Sequence, residues 1–307
     1  MPATSTQPAT IQRQQHAKGI AGLAPLGASC LWGGMYVVSK ASFDAIPPIT
    51  LGLFRLLIGG LALWVTLWLS RRLQAQPTQK LTSSERKRLP LLGLCIAATI
   101  ITQFTGTNLA TAHDGALLTT ITPVFIVPIA WLLLRERPHW RTIVGMLIAL
   151  IGVVLIVGIG EQSLTNGQAL LGDALLIASA LAWALFTVLG APLVRSLSAL
   201  SVATYATIWS LIFFVPLAAW ELIQHPLTTF SFSSLASILY LGIGATALAW
   251  FLWYKGVERL PASVSAIFFF AQPLVGGLLS ALFLHESLGL SFWLGGLVLA
   301  VGILLAG

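Results

Sequence analysis

Charged residues are scarce in this sequence. Only 8% of its 307 residues are Asp, Glu, Lys or Arg, whereas 57% are apolar and the mean hydropathy is +0.92. Soluble domains carry roughly 25% charged residues, and that charged surface keeps them in solution. The composition therefore excludes an ordinary soluble domain and predicts an integral membrane protein.

Cysteines and catalytic motifs are scarce as well. The two cysteines, Cys30 and Cys95, lie inside apolar runs, which argues against a disulfide framework or a cysteine-based metal site. The chain has no Gly-Lys-Ser/Thr string of a Walker A motif, and the HES string at 285–287 does not continue into a His-Glu-x-x-His zinc pattern. Because no reactive constellation is visible within the apolar runs, we expect neither an enzyme nor an ATP-driven pump, and we expect no cofactor and no metal.

Long apolar runs fill most of the remaining sequence. A helix needs about 20 residues to cross a bilayer, and in lipid its backbone polar groups have to be satisfied within the same segment. We therefore predict an all-α integral membrane protein of ten transmembrane helices, preceded by a disordered cytoplasmic tail over residues 1–19. The predicted helices cover 20–43, 48–70, 89–111, 115–134, 141–160, 171–194, 199–221, 234–254, 262–284 and 287–306.

The net charge of +7 follows from membrane topology and does not indicate a nucleic-acid partner. If the N-terminus is cytoplasmic, the tail and the cytoplasmic connections hold every Lys and Arg except Lys40 and Arg55, with six in the 71–88 connection alone. Basic residues accumulate in the loops that remain in the cytoplasm. We therefore predict a multi-pass membrane protein with both termini in the cytoplasm.

An internal repeat relates the two halves of the chain. Pro123 and Pro273 are 150 residues apart, and Glu136 and Glu286 have the same spacing. The two glutamates are interpreted as topogenic or helix-linking residues, because each occurs once per half. Further pairs spaced by 150 or 151 residues are Gly106 and Gly256, Gly145 and Gly295, Gly152 and Gly302, and Trp32 and Trp183.

The repeat is predicted to be inverted. Each half contains five predicted helices, so the second half has to enter the membrane in the opposite orientation. The loop charges agree, because RERPHWR after the fourth helix contains three arginines and HESLGLS after the ninth contains none. Inverted repeats are typical of secondary transporters, whose substrate site lies near the midplane where the repeats meet. We predict two five-helix repeats, 20–160 and 171–306, around a central cavity.

The sequence resembles the EamA-type permeases of the drug/metabolite transporter superfamily over almost all of residues 20–306. The resemblance rests on LWGGMYVVSK at 31–40, on Arg55 in the second helix, on the segments TPVFIVPIAWLLLRE and QPLVGGLLSALFLHE, and on the Gly-rich fifth and tenth helices. It implies an inner-membrane permease of two five-helix halves, and such permeases often export amino acids or other small metabolites. The second half lacks a counterpart of Arg55, since Ala206 takes that position.

Polar and aromatic residues within the first three helices are candidates for substrate binding. Arg55 lies roughly 10 Å below the outer membrane surface at 1.5 Å per residue. It anchors an anionic group of the substrate, makes a structural pair with a carbonyl or an acid, or snorkels outward. Trp32 and Tyr36 share a helix face with Lys40, for which snorkelling to the headgroups is the alternative. Gln103 lies on a polar stripe of the third helix, and its amide needs several partners in lipid.

Candidates in the second half follow from aromatic character and from the repeat. Trp250 either stacks on a substrate or belongs to an interfacial belt. Gln272 precedes Pro273, which either frees backbone carbonyls for a solute or only kinks the helix. The predicted substrate-binding residues are Trp32, Tyr36, Arg55, Gln103, Trp183, Trp250 and Gln272.

The predicted function is secondary transport. We expect an exporter of small metabolites such as amino acids that works by alternating access, with predicted helices 1, 2, 3, 4, 6, 8 and 9 lining the cavity. The expected partners are the substrate and the lipid bilayer. A pore or a membrane assembly factor without a carrier cycle is the alternative.

Overall fold

The structure is all-helical, as predicted. A computed structural model describes residues 22–73, 81–157, 167–227, 231–284 and 289–306, and these ranges contain helices and connecting turns without a β-strand. The predicted tail at 1–19, Glu286 and the outer edges of the fifth and tenth predicted helices lie outside the described residues.

The helices follow the predicted runs closely. Those of the first half are α1 (residues 22–33), α2 (Met35–Ser42), α3 (Pro48–Leu73), α4 (Ser83–Leu109), α5 (Ala112–Thr119), α6 (Thr122–Leu134) and α7 (Trp140–Val157). Those of the second half are α8 (Gly167–Leu197), α9 (Ala199–Gln224), α10 (Phe232–Leu239), a π-helix (Tyr240–Leu248), α11 (Ala249–Arg259), α12 (Ala262–Ile267), a 3-10 turn (Phe268–Phe270), α13 (Ala271–Leu284) and α14 (Leu290–Ala306).

Length and composition suit these helices to a bilayer. Within the described ranges, seven helical segments are long and apolar enough to cross a membrane, and Trp140–Ile156 and Leu290–Ala306 are shorter apolar helices. Large apolar side chains cover the outside, including Trp64, Trp131 and Leu132, which are more than half exposed. An exterior of this kind matches lipid and not water.

Polar side chains form hydrogen bonds with the free backbone groups at several helix ends. Thr82 and Glu85 form a capping box at the start of α4, and Glu221 accepts hydrogen bonds from the backbone N–H groups of Ile49 and Thr50 at the start of α3. Lys40 Nζ donates to three carbonyl oxygens at the end of α4, at 2.8 to 3.0 Å. Lys40 therefore neutralises a helix C-terminus, where a cation is favoured, and it does not line the cavity described below.

Glu136 links the two halves. Its carboxylate accepts hydrogen bonds from the backbone N–H groups of Ala262 and Ser263 at 3.4 Å, at the start of α12, and it lies 3.7 Å from the Arg195 guanidinium. The helix-linking interpretation of Glu136 agrees with these contacts.

Four predicted helices are interrupted within the described residues, the first predicted helix by a turn at Gly34 between α1 and α2. The fourth breaks between α5 and α6, and the ninth passes through the 3-10 turn between α12 and α13, in both cases just before the repeated prolines Pro123 and Pro273. The proline ring removes a backbone donor and crowds the preceding turn, so the helix cannot continue regularly there. The eighth changes to a π-helix over Tyr240–Leu248, and π-helices are common at functional sites.

Repeat-related helices α7 and α14 pack against each other in opposite directions. A Cβ atom added to Gly145 would lie 2.5 Å from the carbonyl oxygen of Gly302, and one added to Gly152 would lie 2.8 Å from that of Gly295. The early glycine of each helix thus faces the late glycine of the other, which defines antiparallel packing. The approach is close enough that only glycine fits.

A second glycine contact between the halves is also repeated: a helix of each half contacts the first helix of the other half. Gly106 of α4 packs on Leu176 of α8, and its repeat counterpart Gly256 of α11 packs on Pro25 of α1. Pro25 and Leu176 are themselves 151 residues apart. Each half therefore uses the same position to contact the first helix of the other half.

Candidate functional site

A buried cavity lies where the two halves meet. The cavity is small, with a volume of about 30 Å³. Since one water needs about 10–15 Å³ of cavity volume, the cavity has room for only a few waters. Its lining comes from the same seven predicted helices that the sequence analysis assigned to it. The lining residues are Trp32, Met35, Tyr36, Arg55, Thr99, Ile100, Gln103, Thr119, Thr122, Ser179, Ala180, Trp183, Trp250, Phe269 and Gln272.

Arg55 brings a positive charge into this cavity. It is 2% exposed, and its Nε donates to Thr246 Oγ1 at 2.7 Å while one terminal nitrogen donates to the Ala245 carbonyl oxygen at 3.3 Å. The other terminal nitrogen faces Met35 Sδ at 3.0 Å and Gln103 Oε1 at 3.4 Å. Among the described residues no carboxylate pairs with Arg55. A buried guanidinium held only by neutral acceptors keeps a strong attraction for an anion.

The π-helix supplies acceptors that an α-helix would keep internally bonded. The Ala245 carbonyl oxygen accepts from Trp32 Nε1 at 2.8 Å as well as from Arg55. Thr246 Oγ1, which accepts from Arg55, donates in turn to the Leu241 carbonyl oxygen five residues earlier at 2.8 Å. The wider turn therefore ties the first two predicted helices to the eighth at the level of the cavity.

A chain of hydrogen bonds continues from Arg55 along the first-half wall. Gln103 Oε1 accepts from Arg55, and Gln103 Nε2 donates to the Tyr36 hydroxyl at 2.8 Å. That hydroxyl also makes a hydrogen bond with Thr119 Oγ1, which lies next to the break in the fourth predicted helix. Networks of this kind hold polar groups in fixed orientations.

Aromatic rings form the opposite wall. Trp32 lies edge-on to its repeat counterpart Trp183, with ring centroids 5.2 Å apart, and it also contacts Phe269 at 5.2 Å. Trp183 contacts Trp250 at 5.7 Å, and the Arg55 guanidinium lies 5.9 Å from the Trp250 ring. A ring face next to a guanidinium is a favourable pairing, and such walls suit flat or apolar groups.

Three polar atoms of the lining are buried without a partner. Within the described part of the chain, Trp183 Nε1, Trp250 Nε1 and Gln272 Oε1 make no hydrogen bond, although these residues are at most 6% exposed. A buried polar group without a partner costs about 1–3 kcal/mol. Functional sites are where proteins retain such a cost, because a ligand then supplies the partner.

The structure brings all seven predicted substrate-binding residues to this cavity. Trp253 and Tyr254, which follow Trp250 in α11, are fully buried, and their side chains donate hydrogen bonds to Thr187 Oγ1 and to the Phe186 carbonyl oxygen. Thr246 was not predicted, since a threonine in an apolar run carries no signal by itself. Thr119 and Thr122, which also line the cavity, were not predicted either. The repeat could have identified Thr122, because Thr122 occupies the position equivalent to Gln272.

The chain matches the family model described as "EamA-like transporter family" twice, over residues 19–158 and 170–307. It belongs to the EamA-like transporter family. The resemblance inferred from the sequence is thereby confirmed. The two matched ranges together cover nearly the whole chain.

Several relatives carry transporter names. An uncharacterized transporter of Bacillus subtilis, YetK, is 29% identical over 89% of this chain and 84% of its own length. An uncharacterized transporter of Archaeoglobus fulgidus is 26% identical over 90% of this chain and 93% of its own. A protein of known crystal structure is similar in fold, with a TM-score of 0.76 and 21% sequence identity. The similarity covers 93% of this chain and 97% of the chain in that crystal structure. The EamA-like chain is therefore a multi-pass protein of a membrane transporter family.

Proposed function

We propose that this EamA-like protein is a secondary transporter that exports small metabolites such as amino acids across the inner (plasma) membrane by alternating access. The observation that carries the proposal is the buried, polar-lined cavity between the two halves. A site at the junction of two halves becomes open to one side and then the other when the halves rock against each other. We propose a carrier without catalytic chemistry, resident cofactor or metal.

The two halves are proposed to be inverted repeats, residues 20–160 and 171–306, with ten crossings and both termini cytoplasmic. The antiparallel packing of α7 on α14 supports the inversion, because equivalent helices of parallel repeats would run in the same direction. The exchange of Gly106 and Gly256 contacts between halves supports a two-fold relation between them. Such a pseudo-two-fold arrangement lets one half adopt the conformation of the other.

The cavity has to widen during transport. Its open space suits a few waters and not a metabolite, so the lining side chains separate before substrate binds. In the proposed roles, Trp32, Trp183 and Trp250 form the apolar walls, and Arg55 favours an anionic group. Tyr36, Gln103 and Gln272 orient the polar part of the solute.

The test is exchange in liposomes containing the purified protein. If the protein is a carrier, liposomes preloaded with unlabelled substrate accumulate labelled substrate transiently and saturably. If it is a pore, the labelled substrate only equilibrates across the membrane. We expect counterflow with at least one member of a panel of amino acids and small organic acids. Transport that is unchanged after combined substitution of Trp32, Arg55, Gln103, Trp250 and Gln272 would contradict the site. Unsaturable flux would favour a pore, and absence of flux with every solute would favour an assembly factor.

A further inference from the structure

The repeat positions around the cavity differ in chemistry between the halves. At three of these positions the first half has a cation, an amide or a hydroxyl where the second half has an alanine or an aromatic ring, and at the fourth the first half has a tyrosine where the second half has a threonine. The pairs at a spacing of 150 or 151 residues are Arg55 and Ala206, Gln103 and Trp253, Thr119 and Phe269, and Tyr36 and Thr187.

The scaffold has nonetheless kept its geometry. Gln103 Nε2 donates to the Tyr36 hydroxyl at 2.8 Å, and at the equivalent positions Trp253 Nε1 donates to Thr187 Oγ1 at 3.1 Å. The same hydrogen bond thus joins the same two positions in each half. On this shared scaffold the cation of the lining, Arg55, comes from the first half, whereas three of its aromatic rings, Trp183, Trp250 and Phe269, come from the second half.

The charge balance of the cavity is one-sided. Arg55 is the one charged residue in its lining, and the described residues provide no carboxylate within reach of it. A solute with one net negative charge neutralises the site, whereas a zwitterion adds an ammonium group that finds only neutral oxygens. A cationic solute is opposed directly, because like charges repel strongly in a site of low dielectric constant.

Two hydrogen-bond donors without a partner lie near the Arg55 guanidinium. The indole N–H groups of Trp183 and Trp250 are both unpartnered, their rings are 5.7 Å apart, and Trp250 lies next to the Arg55 guanidinium. A carboxylate accepts several hydrogen bonds at once, so one acid group could satisfy these donors and Arg55 together. Gln272 Oε1 is then the acceptor for a neutral donor on the same solute.

We infer that the cavity selects small amphipathic organic acids that are monoanions without an ammonium group. The acid group binds Arg55 and the indole N–H groups of Trp183 and Trp250, and the apolar body lies against Phe269 and the ring of Trp32. This inference rests on the proposed transport function and narrows its substrate class from small metabolites to organic acids without an ammonium group.

The test compares solutes that share a ring and differ in charge. Thermal stability of the detergent-purified protein is measured with 3-phenylpropionate, its neutral amide, phenylalanine and 2-phenylethylamine. A ligand that binds the folded state raises the melting temperature by mass action. We expect the anion to stabilise most, phenylalanine and the amide about tenfold more weakly in apparent affinity, and the amine not at all, since a hydrogen bond to a charged group favours binding by about that factor.

Variants identify the groups responsible. Arg55→Gln should abolish the preference for the anion over its amide, and Trp183→Phe and Trp250→Phe should each weaken anion binding about tenfold. In the ligand-free protein each Phe variant removes a buried donor that had no partner, and this gain offsets part of the packing lost with the smaller ring. Arg72→Gln on the same helix, and the lipid-exposed Trp64→Phe, are matched controls that should bind as the wild type does.

The outcomes separate this inference from the transport proposal. Equal or stronger stabilisation by phenylalanine or by the amine would overturn the anion selectivity. If none of the four solutes binds while another class shows saturable counterflow in liposomes, the selectivity is wrong and the transport function stands. If no solute in the wider panel shows counterflow either, the transport function itself fails.

Discussion

At the scale of single residues, the hydrogen bond from Arg55 to Thr246 can be removed by a substitution that hardly changes the shape of the side chain. Thr246→Val keeps the shape of the side chain and removes the acceptor of Arg55 Nε, which lies 2.7 Å away. A buried charged donor without a partner costs roughly 1–3 kcal/mol or more, so we expect a lower free energy of unfolding by about that amount. Thermal unfolding in detergent measures it.

The control for this substitution is Thr66→Val in α3. Thr66 Oγ1 donates only to the Ala62 carbonyl oxygen of its own helix, and the residue is exposed. A backbone carbonyl that is already used within the helix loses little when this donor is removed. Equal destabilisation by both variants would show that the Thr246 contact contributes nothing specific.

Lys40 illustrates how a charged residue in an apolar run can be structural. Its ammonium group binds three carbonyl oxygens at the end of α4. Lys40→Met should therefore lower the melting temperature, because a cation at a helix C-terminus contributes about 0.3–2 kcal/mol. The order of substrate preference should stay unchanged, since Lys40 does not line the cavity.

Lys87→Met provides the comparison for Lys40. Lys87 is exposed near the start of α4, within a basic stretch of the sequence, and should affect stability little. Ranking of solutes by thermal stabilisation is measured for both variants. A changed ranking in Lys40→Met would place the lysine in substrate recognition, contrary to the capping role.

At the scale of elements, the glycines between α7 and α14 set how closely the helices approach. A Cβ atom at Gly152 would lie 2.6 Å from the backbone nitrogen of Leu299, whereas at Gly296 it would meet only the end of the Leu274 side chain at 3.1 Å. Gly152→Ala therefore has to push two helices apart, and Gly296→Ala only moves a side chain. We expect a loss of roughly 1–3 kcal/mol for the first and near neutrality for the second.

Thermal unfolding of the two variants under the same detergent conditions checks this difference. Because Gly296 also lies in α14, it controls for the general effect of alanine on the helix. Gly296→Ala should gain slightly from the better helix propensity of alanine. Equal stability of Gly152→Ala and the wild type would mean that the interface is looser than described.

The elements also show which features the sequence could predict. Apolar run length predicted the helices, and the repeat spacing of 150 predicted that Pro123 and Pro273 occupy equivalent places. The π-helix at Tyr240–Leu248 left no such trace, because its residues are ordinary helix formers and small residues and its hydrogen-bond register depends on tertiary contacts with Trp32 and Arg55. For Pro273 the sequence left open either a discontinuity or a kink, and it predicted neither the break before Pro123 nor the 3-10 turn.

The same contrast applies to the cavity. Polar and aromatic residues inside apolar runs were recognisable as candidates because their burial in lipid is costly, and these residues surround one space. The sequence could not tell which polar atoms have partners. That distinction separates Gln103, which is bonded on both sides, from Gln272, whose Oε1 is free in the described part of the chain.

At the scale of the whole molecule, inversion of the repeats makes a prediction about two equivalent positions. Asn108 near the end of α4 and Glu258 near the end of α11 are 150 residues apart, and both are at least partly accessible. Inverted repeats place equivalent positions on opposite sides of the membrane, whereas parallel repeats place them on the same side. The excess of basic residues in the predicted cytoplasmic connections assigns Asn108 to the outside.

Single-cysteine labelling measures this arrangement directly. In a background with Cys30→Ser and Cys95→Ala, a membrane-impermeant maleimide applied to intact cells should label Asn108→Cys and leave Glu258→Cys unlabelled until the cells are permeabilised. Labelling of both from outside would contradict the inversion. Labelling of Glu258→Cys alone would keep the inversion and reverse the orientation, which would move both termini to the outer side. The antiparallel contact of Gly145 with Gly302 and of Gly152 with Gly295 argues against labelling of both positions from the outside, because equivalent helices run in opposite directions only if the halves themselves are inverted.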